Sequence, residues 1–503
     1  MKRLNRRSFL TRSALATATI SWSARSWAQV ASANDAIRVA VVGFKGRGQS
    51  HIDGLSKIKG CRLTGLCDVD SDVLGKEKQK WADRGVEVQA VKDIRELLDS
   101  KNVDVIGIAT PNHWHALGAI WAVQAGKDVY VEKPVSHNVW EGRQLVNAAR
   151  KHGKIVQTGT QSRSSHAIRD AFAWVREGNL GKIVLARGLC YKSRPSIGRV
   201  DGPQPPPANV DYNLWCGPAP MDPIRRKQFH YDWHWIWNYG NGDLGNQGIH
   251  QMDIARWALG VNELSPRILS VGGRLGYVDD GETANTQLVW HDYKTAPLLF
   301  EVRGLPEKTG SKSMDHFRDP VYGEYKVPDK KAEGGMKALR PGVAVLIHCE
   351  GGTVVVPNYT SATAFDRNGK EIKNWSGADD HFANFIKAVK SRRHADLNAD
   401  ILEGHLSSAL CHTANISYRL GKPASPDALG AALKANSAMT EAFGRMSEHL
   451  AANGVKLDET KASLGVPLTM DPKTEKFIGN DAANTMLSRD YRKPFVVPEI
   501  AIA

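Results

Sequence analysis

The stretch IRVAVVGFKGRGQSHIDGL, residues 37–55, decides the fold of this chain. Its first six residues form a mainly apolar run of strand length, the next six contain three glycines, and a segment of mixed polarity follows. A strand, a tight glycine turn and a helix in immediate succession are typical of the first unit of a nucleotide-binding α/β sheet. We therefore predict a parallel sheet that begins near residue 36.

The residues that follow repeat this alternation of strand and helix. Three further apolar runs are separated by polar stretches of helix length: CRLTGLCDVD (61–70), VDVIGIATP (103–111) and DVYVEKPVS (128–136). Strands that alternate with helices in this way form a parallel sheet with helices on both faces. The sequence predicts a Rossmann dinucleotide-binding domain over residues 36–160.

The glycine turn departs from the usual dinucleotide fingerprint at one position. The fingerprint has glycines at its first, third and sixth positions, where this chain has Gly43, Lys45 and Gly48. Asp68 closes the second strand, and a carboxylate there accepts hydrogen bonds from the adenosine ribose and repels a 2′-phosphate. This arrangement favours NAD over NADP, although Lys45 and Arg47 offer charges that attract a phosphate.

Two other segments carry candidate functional residues. Glu132 and Lys133 form a charged pair at the end of an apolar strand, where parallel sheets bind their ligands. In GNGDLGNQGIHQMDIARWALG, residues 240–260, Asn246 precedes His250 by one helical turn, so both side chains share a face. The alternative for the Glu132–Lys133 pair is a capped strand end at the surface. The alternative for residues 240–260 is a glycine-rich loop that leads into an ordinary helix.

Composition and charge exclude several classes of protein. At roughly 150 residues per domain, a chain of 503 residues suggests two to four domains. The net charge of +14 is dispersed, and no basic helix or zinc-finger spacing supports nucleic-acid binding. The six cysteines form no CxxC pair and no metal-ligand spacing, so we predict neither a metal site nor a need for disulfides.

The sequence of the N-terminus indicates a targeting segment. Residues 1–28 contain six basic residues and no acidic one, with paired arginines followed by a short apolar run. This segment resembles a twin-arginine signal peptide with cleavage after Ala28, and the alternative is a disordered basic N-terminus. We therefore expect export by the twin-arginine machinery to a periplasmic or other extracytoplasmic location, with no stable membrane span.

Taken together, these motifs resemble the Gfo/Idh/MocA oxidoreductase family. The matching pieces occur in the family's order: VVGFKGRG, ATPNHWHA, VEKPVS, GTQSRSS and GNQGIHQMD. The likeness covers about residues 36–260, and later stretches similar to exported bacterial members extend it to about residue 420. It implies an α/β domain with an open, mostly antiparallel sheet over residues 161–423. Residues 424–503 form a C-terminal extension that packs on the body or on a partner subunit.

The resemblance also implies the roles of individual residues. Those expected to bind the dinucleotide are Gly43, Phe44, Lys45, Gly46, Arg47 and Asp68. Those expected near the nicotinamide and its ribose are Thr110, Pro111, Asn112, His115, Glu132, Lys133 and Gln161. Lys133 and His250 would face the substrate carbon, with Asn246 beside them where many members have aspartate.

The residue types suit the transfer of a hydride. Oxidation of a secondary alcohol moves a hydride to the nicotinamide and a proton to a base, and histidine is well suited as that base. Lysine can polarise the oxygen of the developing carbonyl. An amide at position 246 cannot stabilise a charged imidazole as a carboxylate does, so the identity of the base stays open, with Tyr239 as the alternative.

An aromatic-rich segment precedes the histidine motif. FHYDWHWIWNYG, residues 229–240, is either a platform for sugar rings or a core strand with alternating faces. The platform interpretation gives substrate contacts to Trp233, Trp235, Trp237 and Tyr239. A proline-rich run over residues 199–220 precedes it, either wrapping the surface or shaping the mouth of the pocket.

Three functions remain open from the sequence. The first is an exported NAD-dependent oxidoreductase that acts on a sugar, glycoside or polyol with a tightly bound cofactor. The second is a glycoside-cleaving enzyme that works by transient oxidation and elimination. The third is a non-catalytic sugar-binding protein. In each case the partner is a small carbohydrate, and we expect a homo-oligomer.

Overall fold

The computed structural model describes residues 36–502 except 322, 329 and 330. The predicted signal peptide, residues 1–28, lies outside the described residues. Among the helices that are described, none is both long enough and apolar enough to cross a membrane.

The first sheet has six strands, all parallel, in the order β3-β2-β1-β4-β5-β6. The strands are β1 (Ile37–Val42), β2 (Cys61–Cys67), β3 (Gln89–Val91), β4 (Val105–Ile108), β5 (Asp128–Val131) and β6 (Val156–Thr158). The connecting helices are α1 (Gly48–Ser56), α2 (Ser71–Ala82), α3 (Ile94–Leu98), α4 (Asn112–Gln124) and α5 (Val139–Lys151). Strands β4 and β5 are buried along their whole length, as expected when helices cover both faces. The predicted Rossmann architecture is confirmed.

The second sheet has twelve strands and is mostly antiparallel, as predicted. Its main path runs β16-β15-β14-β13-β7-β10-β9-β8-β18-β17, with β19 on β8 and β20 on β19. Only β7 and β10 pair in parallel among the strands described in it. The strands are β7 (Ile183–Tyr191), β8 (Arg267–Gly273), β9 (Thr286–His291), β10 (Leu298–Arg303), β13 (Val343–Cys349), β14 (Gly352–Val356), β15 (Ser361–Asp366), β16 (Glu371–Ser376), β17 (Lys422–Ala424), β18 (Ala462–Leu464), β19 (Leu468–Asp471) and β20 (Lys476–Phe477).

Helices and a hairpin cover the two faces of the second sheet. One face buries a core with α6 (His166–Arg176), α9 (Gly248–Leu259) and α11 (Ile401–Arg419). The other face is covered by α12 (Pro426–Leu433) and α13 (Ser437–Ala452), and by the segment between β10 and β13, which carries the hairpin β11 (Tyr325–Pro328) and β12 (Met336–Leu339). The remaining helices are α7 (Tyr212–Cys216), α8 (Gly242–Asn246), α10 (His381–Ser391) and α14 (Asp481–Thr485).

The C-terminal tail packs back on the Rossmann domain. Helix α4 is apolar on nearly every side, so it needs a partner on the side opposite the sheet. Phe495 supplies that partner, with its ring centroid 5.5 Å from that of Trp114 on α4. Val497 and Ile500 join the same buried cluster. The extension therefore completes the core of the first domain as well as covering the second sheet.

Candidate active site

A cleft of about 340 Å³ lies at the carboxyl edge of the first sheet. The loops that follow β1, β2, β4 and β5 line it, at the edge where α/β sheets bind ligands. Twelve residues predicted to bind cofactor line this cleft: Gly43, Phe44, Lys45, Gly46, Arg47, Asp68, Thr110, Pro111, Asn112, His115, Glu132 and Lys133. Gln161 does not line it; it begins a short 3-10 turn after β6.

The glycine turn needs glycine at two positions. Gly43 has a φ of +74°, and a Cβ added there would lie 2.9 Å from the backbone of Thr110. A Cβ on Gly48 would lie 2.1 Å from the carbonyl oxygen of Gly43. Gly46, by contrast, has no neighbouring atom within 4 Å of such a Cβ, so its backbone faces open space in the cleft. The turn is held tightly at its base and is accessible at its centre.

The Asp68 carboxylate is anchored where the loop after β2 lines the cleft. Its two oxygens accept backbone N–H groups of Phe44 and Asp70, each at 3.0 Å, and only 8% of the residue is exposed. Burial raises the pKa of Asp68, and the two backbone hydrogen bonds partly offset that rise. Lys45 lies 3.6 Å from the Asp70 carboxylate, so its charge already has a partner. Each Asp68 oxygen keeps acceptor capacity for a ligand hydroxyl.

Residues 209–215, here called the strap, lie across this corner of the cleft. Asn209 accepts the Ser71 N–H at 2.8 Å and donates its amide to Asp70 at 2.7 Å. The indole of Trp114 donates to the carbonyl of Leu214 at 2.9 Å. The predicted proline-rich loop therefore joins the second domain to the first beside the cleft.

Glu132 is the centre of a buried charge cluster. It accepts a hydrogen bond from the Arg47 guanidinium at 2.8 Å and contacts His51 Nε2 at 3.0 Å. Burial alone would raise the pKa of Glu132, but the hydrogen bond from His51 and the charge of Arg47 hold that pKa well below its usual range. A Cβ on Gly159 would lie 2.8 Å from the carboxylate, which explains the glycine that follows β6.

Lys133 extends from the end of β5 to the junction between α8 and α9. Its Nζ donates to the backbone carbonyl of Asn246 at 3.1 Å. Burial lowers the pKa of Lys133, and the charge of Glu132 opposes that shift. The side-chain amide of Asn246 makes no hydrogen bond to any residue that the structure describes, and it faces the cleft. This amide is available to a ligand.

His250 lies on the first turn of α9, with 5% of the residue exposed. Its Nδ1 is buried and has no hydrogen-bond partner within the described part of the chain. Burial and the positive charge of Lys133 hold the pKa of His250 well below its usual value. The ring contacts Tyr359, with 4.9 Å between centroids. The imidazole is therefore neutral at neutral pH and can accept a proton.

Three residues beside His250 were not found by reasoning from sequence. Lys192, just after β7, donates to the side-chain oxygen of Gln247 at 2.8 Å. The Gln247 amide donates to the Tyr359 hydroxyl at 2.6 Å. Lys192 and Tyr359 come from loops of the second sheet that lie far from the histidine motif along the chain. No local spacing signals their approach to His250.

The remaining predicted residues of the first domain lie in the loop after β4 and on the first turn of α4. His115 lies between the carbonyls of Pro134 and Thr110, at 2.6 and 2.7 Å from its two ring nitrogens. Asn112 donates to the Asn241 side chain at 3.0 Å and so ties α4 to the loop before α8. The Thr110 hydroxyl is buried and has no partner among the described residues.

The four side chains of the aromatic segment that were predicted to contact substrate lie in different surroundings. Trp233 lines the cleft, where its ring stacks on His234 at 3.7 Å. Trp235 packs under the Arg194 guanidinium at 5.5 Å, and Trp237 lies against Arg419 at 4.9 Å. Tyr239 is 1% exposed, and its hydroxyl donates to the Pro220 carbonyl at 3.0 Å. The segment contains a 3-10 turn, Asp232–Trp235, so its side chains do not alternate as in a strand.

Two family profiles match the chain. Residues 37–160 match "Oxidoreductase family, NAD-binding Rossmann fold", and residues 183–286 match "Oxidoreductase family, C-terminal alpha/beta domain". These two regions match the Gfo/Idh/MocA oxidoreductase family. The turn after β1, the cleft and the first sheet are thus those of the NAD-binding domain of Gfo/Idh/MocA oxidoreductases.

Individual relatives match parts of the chain. Myo-inositol 2-dehydrogenase of Thermotoga maritima is 28% identical over 44% of this chain and 55% of its own length. The chain thus spans about half the length of this curated relative. Alpha-N-acetylgalactosaminidase of Shewanella oneidensis is 31% identical over 24% of this chain and 27% of its own length.

A solved structure shares the fold of this chain over a longer region. The WlbA dehydrogenase of Bordetella pertussis, in complex with NADH and UDP-GlcNAcA, superposes with a TM-score of 0.51. It covers 75% of this chain and 94% of its own, at 18% sequence identity. This likeness extends the fold assignment across both domains.

Proposed function

We propose that the protein is an exported NAD-dependent oxidoreductase. It transfers a hydride between a secondary alcohol of a sugar, glycoside or polyol and a tightly bound nicotinamide cofactor. The observation that carries the proposal is the convergence of Lys133 and the neutral, buried His250 where β5 meets the junction of α8 and α9. Export through the twin-arginine machinery, the periplasmic location and a homo-oligomeric state belong to the same proposal.

The residues of the cleft fit a dinucleotide. The open space over Gly46 leaves room for phosphates to approach the backbone, and the buried Thr110 hydroxyl has no hydrogen-bond partner among the residues that the structure describes. Asp68 would hold the adenosine ribose, while Glu132, Lys133 and Thr110 would surround the nicotinamide end. When bound, the cofactor supplies the acceptor and donor of the hydride.

The chain's own residues supply the proton chemistry and the orientation. Lys133 donates hydrogen bonds to the substrate oxygen and stabilises the negative charge that develops there. His250 accepts the hydroxyl proton at a ring nitrogen, because its depressed pKa keeps it neutral. The free amide of Asn246 binds a neighbouring hydroxyl and so orients the carbon that reacts.

The strap supports tight retention of the cofactor. Its contacts with Ser71, Asp70 and Trp114 close the corner of the cleft next to Asp68. An extracytoplasmic oxidoreductase needs such retention because free NAD is scarce there, and the bound cofactor would be recycled on the enzyme. Purified protein should release stoichiometric NAD on denaturation. A protein that carries none and binds NAD only loosely would refute this part of the proposal.

A saccharide screen tests the activity itself. Sugars, glycosides and polyols are mixed singly with the holoenzyme, and the absorbance of the bound cofactor is followed. We expect some of these compounds to reduce the bound cofactor. The corresponding ketones should reoxidise it. The absence of any absorbance change across all three classes would contradict the proposed function.

The match to an α-N-acetylgalactosaminidase favours a second candidate, glycoside cleavage. Transient oxidation of a ring carbon acidifies the adjacent C–H, which allows the leaving group to be eliminated. Water then adds to the resulting double bond, and the ketone is reduced again. Aryl glycosides distinguish the two activities. Release of phenol without added NAD supports cleavage, whereas accumulation of a keto-glycoside supports net oxidation.

Asp68→Ala should raise the dissociation constant for NAD by about tenfold or more and reduce the preference for NAD over NADP. The change removes a charged acceptor from the ribose site. Cofactor binding is measured by titration of the apoprotein with both nucleotides. The control is Asp72→Ala, which removes an exposed carboxylate on the first turn of α2. If the substitution weakens the binding of NAD and NADP equally, it has only damaged the glycine turn. Asp68 would then have no role in discriminating between the two nucleotides.

Asn246→Asp should move the acidic limb of the pH–rate profile for oxidation to higher pH. A carboxylate near His250 stabilises the imidazolium and so raises the histidine pKa, which is held below 6.5 in the parent. Below that pKa the protonated base is inactive, so activity is lost at a higher pH than in the parent. The exposed Asn368→Asp serves as control. An unchanged profile would mean that His250 does not titrate in the observed limb.

A further inference from the structure

The ammonium groups of Lys133 and Lys192 lie near the active site, and each donates a hydrogen bond to a neutral acceptor. Lys133 donates to the backbone oxygen of Asn246, and Lys192 donates to the side-chain oxygen of the next residue, Gln247. Across residues 36–502, as far as the structure describes them, neither ammonium has a carboxylate within 4.0 Å. Each ammonium has three donors and uses one, so each keeps hydrogen-bonding capacity.

The acidic residues nearby are already paired with arginines. Glu132 is paired with Arg47 at 2.8 Å, and Asp243 is held by Arg194 through two bonds of 2.9 and 3.0 Å. Each of these two pairs is neutral overall, so Glu132 and Asp243 offset the charge of Lys133 only in part. Burial is the main cause of the lowered pKa of His250, and the charges of Lys133 and Lys192 add to it.

The position of Lys192 separates its role from that of Lys133. Gln247 is mostly buried, and its amide donates to Tyr359 at 2.6 Å and to Gln251 at 3.3 Å. These bonds orient the Gln247 oxygen toward Lys192 and hold the ammonium beside the histidine motif. Lys192 thus contributes, from the end of β7 in the second domain, a positive charge close enough to His250 to lower the pKa of its imidazole.

We propose that Lys192 binds an anionic substituent of the substrate, so that the protein acts on a sugar that carries a carboxylate or a phosphate. This inference rests on the proposed function, because it places the anion next to the alcohol that Lys133 and His250 process. A charge-assisted hydrogen bond to an ammonium is stronger than a neutral one. Negative charge near the reacting carbon also favours the departure of a hydride.

Isothermal titration of the holoprotein with D-glucuronate, D-glucose 6-phosphate and D-glucose tests this inference. We expect one of the two anions to bind at least about tenfold more tightly than glucose, equivalent to about 1.4 kcal/mol. Which of them does so identifies the anion as carboxylate or phosphate. Lys192→Gln should abolish the preference, and the preference of the parent should fall as salt is added.

Lys182→Gln is the matched control, since Lys182 is exposed just before the other end of the same strand. It should keep the preference of the parent. Equal binding of all three sugars by the parent, or a preference that survives in Lys192→Gln, would overturn the inference. Preferential binding of an anion without reduction of the cofactor would uphold it and contradict the proposed oxidoreductase activity instead.

Discussion

Lys133→Ala is expected to lower the rate of cofactor reduction by at least about 10²- to 10³-fold while NAD stays bound. The substitution removes the donor that stabilises charge on the substrate oxygen, and losses of this size follow the removal of one such donor. The part of the cleft proposed to hold the adenosine, with Asp68 and the glycine turn, makes no contact with Lys133 among the hydrogen bonds that the structure describes. Single-turnover absorbance gives the rate, and denaturation of the variant gives the NAD content.

Lys151→Ala is the control for this experiment, because Lys151 is an exposed residue on the last turn of α5. It should match the parent in both measurements. A Lys133→Ala protein that is misfolded or has lost its NAD would show that the lysine serves the cofactor or the fold. A variant with near-parental turnover would remove Lys133 from the chemistry altogether.

His250→Ala should slow the oxidation of the alcohol by at least about 10²-fold, the lower end of the range for general-base catalysis. The expected signature is a rate that no longer shows the acidic limb seen in the parent, since the titrating group is absent. Because the ring is buried against Tyr359, its removal leaves a small cavity. The melting temperature of the variant is measured as well, because it separates the loss of stability caused by the cavity from the loss of a base.

His152→Ala, at an exposed position directly after α5, is the matched control. If His250→Ala stays nearly as active as the parent, the base lies elsewhere. Tyr239, the alternative named from the sequence, is poorly placed for that role. Its hydroxyl is bonded to the Pro220 carbonyl, and burial raises its pKa well above the usual value. Lys133 would then be the residue to examine.

The first domain was predictable because its signals are local. Residues 37–55 carry strand, turn and helix in one continuous stretch, and each later strand is a separate apolar run. The second sheet was predictable only through the family resemblance. Its strands pair across long insertions, and β7 joins both β10 and β13 from distant parts of the chain.

The site was predictable to the extent that motifs define it. The EKP and histidine motifs each contain their functional residues within a few positions, and the structure joins them by the bond between Lys133 and Asn246. Lys192 and Tyr359 have no motif, because only the folding of the second sheet brings them to His250. The aromatic segment was ambiguous because a 3-10 turn, which alternation does not reveal, distributes its rings among different neighbours.

The packing of the tail on α4 has a consequence for the order of folding during synthesis. Phe495, Val497 and Ile500 belong to the same buried cluster as Leu117 and Ile120. Domains generally fold as units while the ribosome is still elongating the chain. Here the first domain precedes the second along the chain but lacks part of its interior until residues 495–500 have been translated. Its consolidation therefore follows the synthesis of the second domain, and the apolar face of α4 stays uncovered until the tail arrives.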